Sequence, residues 1–218
     1  GFGLDYSHLS LFNPRLVYAS ISGFGQDGPY AFRPALDIIV QGMGGMMSVT
    51  GEVGASPVRP GASLGDSVSG VFAALAIVSA LWERENTGNG RYIDVSMLDC
   101  QVTLMENAFS RYFSTGEPPG PLGSRHLVAV PFQAFETLDG HIVIGLISDD
   151  SQLWSGFCKV IGHPNLAEDP RFIDMRSRSL NYDMLQPIMD SAIRCNPSDV
   201  WIKQLSCLGI PCGPVNGI

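Results

Sequence analysis

The sequence predicts a two-part α/β protein, and three observations carry that reading. Short apolar strand patterns alternate with helical ones in the first half, a Gly/Pro-rich stretch interrupts the chain after residue 113, and a hairpin followed by helices fills the remainder. The 218 residues are 45% hydrophobic and 16% charged, enough apolar material for one large domain or two small ones and too much for disorder as the main state.

Asp5 is placed to cap a short helix running to Leu11, which Asn13-Pro14 stops, and Leu16 to Ser22 reads as a buried strand. A helix around Leu36 to Met43 follows, leading into a Gly-rich, Met-lined segment up to Thr50. Ser67 to Asn86 is the most apolar helical stretch and reads as a central, buried helix ended by Thr87-Gly88-Asn89-Gly90. Arg91 to Ser96 alternates as a strand, and Ser96 with Asp99 forms a capping-box pattern for a helix to about Phe113. Residues 114–131 hold Gly116, Pro118, Pro119, Gly120, Pro121 and Gly123 and read as a stiff linker. Beyond it, residues 132–218 read as a small α+β domain. It opens with a hairpin, Gln133 to Leu138 and His141 to Ile147, in which Asp139-Gly140 is expected to supply positive φ angles. Helices are expected at Ser151 to Ile161, Tyr182 to Arg194 with a kink at Pro187, and Pro197 to Leu208 with Asn196 as N-cap.

Lys and Arg number 13 against 21 Asp and Glu, a net charge of −8, which repels nucleic-acid backbones and anionic membrane surfaces, so neither is an expected partner. Five cysteines without a C-x-x-C pair and four scattered histidines argue against a disulfide scaffold or a metal site and for a reducing, cytoplasmic setting. The longest apolar run, Val68 to Trp82, is broken by Ser69, Gly70 and Ser79 and is shorter than the roughly 18 residues of a membrane span. The chain opens at Gly1, so an upstream targeting segment is compatible with it.

Gly23-Phe-Gly-Gln-Asp-Gly28 matches G-x-G-x-x-G, but Pro29, Tyr30 and Pro34 follow where a dinucleotide site needs a helix, so the match is read as coincidental. Asp66 enters the most apolar helix, where unpaired N–H groups and the helix dipole converge. Two readings stand side by side: an ordinary N-cap, or a carboxylate held in a largely dry pocket with Gly65 and Gly70 admitting a ligand. Asp5, Asp99 and Asp199 read as helix-start residues, and Asp149 and Asp150 as cap and turn residues or, alternatively, as residues facing the active site. Cys100 reads as core packing ahead of a nucleophilic thiol, Met43, Met46 and Met47 as gap fillers or an acyl-pocket lining, and His126 as a linker residue that is solvated or functional.

Taken together, Ala19 to Pro29, Arg33-Pro-Ala-Leu-Asp37, Gly61 to Gly70, Ala80 to Arg84, Thr87 to Gly90 and Gly209 to Pro214 resemble the family III CoA-transferases, relatives of formyl-CoA and carnitine CoA-transferases and of α-methylacyl-CoA racemase. The resemblance is collinear over nearly the whole chain. It implies that residues 1–113 are the central part of the family's large domain. The N-terminal segment with most CoA contacts and the C-terminal return would be missing, and the whole protein would form an interlocked homodimer.

The resemblance further implies that Asp66 is a covalent nucleophile moving CoA from an acyl-CoA to a free carboxylic acid, without a metal. A carboxyl of ordinary pKa near ~3.9 needs no general base, but its modest nucleophilicity requires desolvation and oriented donors. Arg33, Pro34, Ala35, Leu36 and Asp37 would border bound CoA, and His126 would sit near the substrate on a covering loop. The racemase branch carries a histidine thirty residues before the aspartate, where this chain has Leu36, which moves no proton. Transfer is therefore favoured over acyl-CoA racemisation or epimerisation, and a non-catalytic remnant is the alternative from another class.

Overall fold

The computed structural model describes residues 2–218, which divide into two units, one ending at Pro121 and the other running from Leu122 to Ile218. The first unit contains α1 (Tyr6–Phe12), β1 (Val17–Ser22), α2 (Asp37–Met43), α3 (Met46–Val49), α4 (Leu64–Thr87), β2 (Arg91–Ser96), α5 (Met97–Thr103) and α6 (Glu106–Thr115). The two strands pair in parallel, Val17 opposite Arg91 through Ser22 opposite Ser96, as a strand–crossover–strand unit requires. Asp5 caps α1 by accepting the His8 N–H at 3.1 Å. The expected helix from Ser96 to about Phe113 is two helices, interrupted at Leu104 and Met105, with Ser96 capping the first through the Asp99 N–H at 3.2 Å.

The central helix α4 packs against both strands, α2 and α5, but it is not the buried helix its composition predicts. Its buried residues are Gly65, Ser69, Ala73 and Ala80. Spacings of four, four and seven put these small side chains on one face, where they let the helix lie close to its neighbours. Val71, Leu75, Val78 and Trp82 are 61–76% exposed, because a helix apolar all round can bury only the stripe that meets a neighbour. The helix has 24 residues and, by length and composition alone, is long and apolar enough to cross a membrane, which interruption of its apolar run by single Ser and Gly residues had obscured.

The second unit contains β3 (Phe132–Glu136), β4 (His141–Gly145), α7 (Ser151–Val160), a 3-10 turn (Pro164–Ala167), α8 (Met175–Leu180), α9 (Tyr182–Ile193), α10 (Ser198–Cys207) and β5 (Cys212–Pro214). Its antiparallel sheet has the order β3-β4-β5. Phe135, Ile142, Ile144, Trp154, Phe157, Leu185, Met189, Ile193 and Leu205 form its core. The Arg178 guanidinium is fully buried there, donating to the carbonyls of Val130 at 2.8 Å, Phe172 at 3.3 Å and Ser148 at 3.2 Å.

Two local expectations are corrected in this unit. Gly140 does not have a positive φ, because residues 137–140 form a wider loop whose Asp139 carboxylate reaches across to α10. Asp139 accepts the Ser198 N–H at 2.8 Å and its hydroxyl at 2.9 Å. Pro197, not Asn196, occupies the N-cap. A proline there offers no side-chain acceptor, and Asp139 supplies it.

Candidate active site

Ser63 is the N-cap of α4, so Asp66 is its third helical residue and not the cap. A carboxylate in this turn meets the positive end of the helix dipole. Among the described residues the Asp66 carboxylate has no hydrogen-bond partner; its main-chain carbonyl accepts the Ser69 hydroxyl at 3.0 Å, and the same hydroxyl donates to Gly65 O at 2.7 Å. One helical turn onward, a Cβ at Gly70 would meet nothing within 4 Å, so there is room beside Asp66 for a ligand. The expected dry pocket is not formed: Asp66 is exposed. Val71, Leu75, Val78 and Trp82 of α4 are exposed, and the residues that α4 itself buries are Gly65, Ser69, Ala73 and Ala80.

The turn is held from below. Asp37, buried at the start of α2, accepts the Gly65 N–H at 2.9 Å through Oδ1 and the Gln41 amide at 2.7 Å through Oδ2. Gln41 also donates to Ala62 O at 3.2 Å, and Arg59 Nε stands 3.5 Å from Asp37 Oδ2. A Cβ at Gly65 would lie 2.7 Å from Val40 Cγ2, so glycine is what permits this approach of α4 to α2.

Of the residues assigned by resemblance, Asp37 is thus tied directly to the turn that carries Asp66. Arg33 is exposed, with its guanidinium 4.8 Å from the Tyr30 ring centroid and 5.9 Å from that of Phe24. Pro34 is exposed, and Ala35 is half-buried where a Cβ on Gly23 would overlap its own. Leu36 is the N-cap of α2 and 71% exposed. His126 belongs to the second unit. Its Nδ1 accepts the N–H groups of Val128 at 3.2 Å and Ala129 at 3.0 Å, and its ring tilts against Phe132, so the imidazole organises its own turn.

The glycines after β1 serve the backbone and not a nucleotide helix. Gly25 and Gly28 have φ of 86° and 83°, and the Gln26 N–H between them donates to Asp94 Oδ2 at 2.7 Å. Asp94 was not singled out by any sequence pattern; its alternation on β2 resembles that of any half-exposed strand. An apolar cavity of about 300 Å³ is lined by Gly45, Val49, Met105, Phe109, Tyr112 and Pro119 among others. Met43, Met46 and Met47 do not line it. Cys100 is buried, and burial raises its thiol pKa, which fits packing and not nucleophilic chemistry. Among the described residues no group of three or more His, Cys, Asp or Glu side chains is placed to hold a metal.

Comparison with known proteins sets this geometry in context. The chain is 42% identical over 214 residues to acetyl-CoA:oxalate CoA-transferase of Acetobacter aceti, covering 98% of this chain and 54% of that protein. It is 34% identical over 218 residues to succinate–glutarate CoA-transferase of Agrobacterium fabrum, again 54% of that protein. The crystal structure of a CaiB/BaiF family protein from Brucella suis superimposes with a TM-score of 0.86 at 34% identity, covering 99% of this chain and 56% of that one. The chain therefore spans about half the length of the relatives it matches. The pattern of CoA-transferase family III matches residues 1–218, and the chain belongs to that family.

Proposed function

We propose that this chain carries the nucleophile-bearing part of a CoA-transferase, with Asp66 as the group that accepts the acyl unit. The observation that carries the reading is a carboxylate in the first turn of α4, without an intramolecular donor and beside open space at Gly70, in a chain of this family. One Asp66 oxygen attacks the acyl-CoA carbonyl, and the C–S bond breaks to give a mixed anhydride and CoA thiolate. The thiolate attacks the aspartyl carbonyl, releasing the first acid and leaving Asp66 as a thioester. The acceptor carboxylate attacks that thioester, freeing the thiolate and forming a second anhydride. Thiolate attack on the acceptor's acyl carbon then releases the new acyl-CoA and restores Asp66.

Hydrolysis of the anhydride competes with transfer, so water must be excluded. Asp66 is exposed within residues 2–218, and in this reading the cover, with most of the CoA contacts, comes from the further half that relatives possess or from a second copy. The apolar stripe on α4 supports such cover. Arg33 to Leu36 border CoA in that fuller assembly and His126 approaches substrate there, whereas Asp37 is buried with both carboxylate oxygens engaged. Leu36, an alkyl side chain at the head of α2, supports transfer over racemisation, which needs a proton shuttle there. Five free cysteines support a reducing, cytoplasmic setting.

The test is mass spectrometry after incubation with acetyl-CoA or succinyl-CoA and hydroxylamine. Asp66 is expected to become a hydroxamate, and Asp66→Asn to abolish the product. An unaltered Asp66 with both donors, or the same product in the variant, overturns the reading in favour of a non-catalytic role.

A further inference from the structure

Two carboxylates converge on one short turn. Asp66 is the third residue of α4, and the Gly65 amide just before it belongs to the first turn, whose amides have no partner within the helix. That amide is already taken by Asp37 Oδ1 at 2.9 Å. Asp37 is buried, with its other oxygen engaged by Gln41 at 2.7 Å and faced by Arg59 at 3.5 Å. The same Gln41 amide reaches Ala62 O, so the loop leading into the turn is fixed by the same cluster. On the far side, the Ser69 hydroxyl holds the carbonyls of Gly65 and Asp66.

From this arrangement we infer that Asp37 is a positioning residue for Asp66: by occupying the Gly65 amide it anchors the head of α4 and so fixes the turn from which the Asp66 carboxylate projects. The inference rests on the proposed role of Asp66 but concerns a different side chain. The anchor fixes the direction from which the Asp66 oxygens approach an acyl carbonyl. Gly65 completes the device, because a Cβ there would press on Val40 and separate the amide from Asp37.

The test compares the full chain with Asp37→Ala, which removes the acceptor, Asp37→Asn, which keeps one acceptor oxygen, and Asp66→Asn. Two readouts are taken: the rate of hydroxamate formation at Asp66 against acetyl-CoA concentration, and hydrogen exchange of the Gly65 amide by NMR. In Asp37→Ala, Gly65 exchange is expected to quicken about tenfold or more, and the maximal labelling rate to fall by a similar factor. The acetyl-CoA concentration for half-maximal labelling should stay within about twofold. Asp37→Asn should recover most of both losses, and it carries the comparison if the alanine variant fails to fold. Asp66→Asn should abolish labelling with Gly65 still protected. Unchanged Gly65 exchange or an unchanged maximal rate without the Asp37 acceptor overturns the inference. If the parent chain does not label, the Asp66 reading fails by itself, and Gly65 exchange still decides whether Asp37 is the anchor.

Discussion

Gly23 and Ala35 meet so closely that any side chain at position 23 overlaps the Ala35 methyl. Gly23→Ala is expected to lower stability by about 1–3 kcal/mol, the usual cost of overpacking, as measured by urea denaturation. The cysteines divide by environment: burial drives the Cys158 thiol up to about 12 and raises that of Cys100, whereas Cys195 and Cys207 are exposed. Iodoacetamide at mildly alkaline pH should modify Cys195 and Cys207 and spare the other two until the protein unfolds, as peptide mapping would record. Asp139 is held below the ordinary carboxylate range by its bonds from Ser198. Its stabilising effect is therefore present above the unfolded-state pKa and lost as pH falls through the lowered folded value. Asp139→Ala should be less stable than the parent near about pH 7, and the gap should close on acidification below about pH 4. At this scale the sequence marked Asp66 by its place before an apolar run. It did not mark Asp37 as its neighbour, because a contact across 28 positions leaves no local periodicity.

Among the elements, α4 shows why composition misjudges burial. Its apolar residues are real, but the residues it buries are Gly65, Ser69, Ala73 and Ala80, so proximity of backbones and not side-chain volume governs the packing. Ala73→Leu should destabilise by about 1–3 kcal/mol, while Leu75→Ala, 61% exposed, should change stability by no more than about 0.5 kcal/mol. Equilibrium denaturation of the two variants distinguishes them. The strands β1 and β2 and the helices α7 and α9 were readable because alternation or helical spacing was strong there. The short α8 and the three-residue β5 were not. Met175 to Leu180 carries little apolar period, and Cys212 to Pro214 is a strand only because β4 offers it an edge.

For the molecule as a whole, the two units have unequal interiors. The second encloses Trp154, Phe157, Leu185, Ile193 and Trp201 in one continuous cluster, whereas the buried apolar cluster of the first is Ala73, Val95 and Cys100 with Val68 and Ile93 against it. Since buried apolar area dominates stability, the first unit should unfold at lower denaturant. Trp154 and Trp201 are buried in the second unit and Trp82 is 76% exposed in the first. Tryptophan emission should therefore change later in a urea series than far-UV ellipticity, and coincident curves would contradict this ordering. The parallel pair β1–β2 carries one more implication. Among the described residues this sheet has two strands, and the outer margins of such a ribbon carry main-chain donors and acceptors that template further strands. When this chain is concentrated alone, turbidity and thioflavin fluorescence should rise with protein concentration, and fragments spanning Val17 to Ser22 should be the protease-resistant residue of what precipitates.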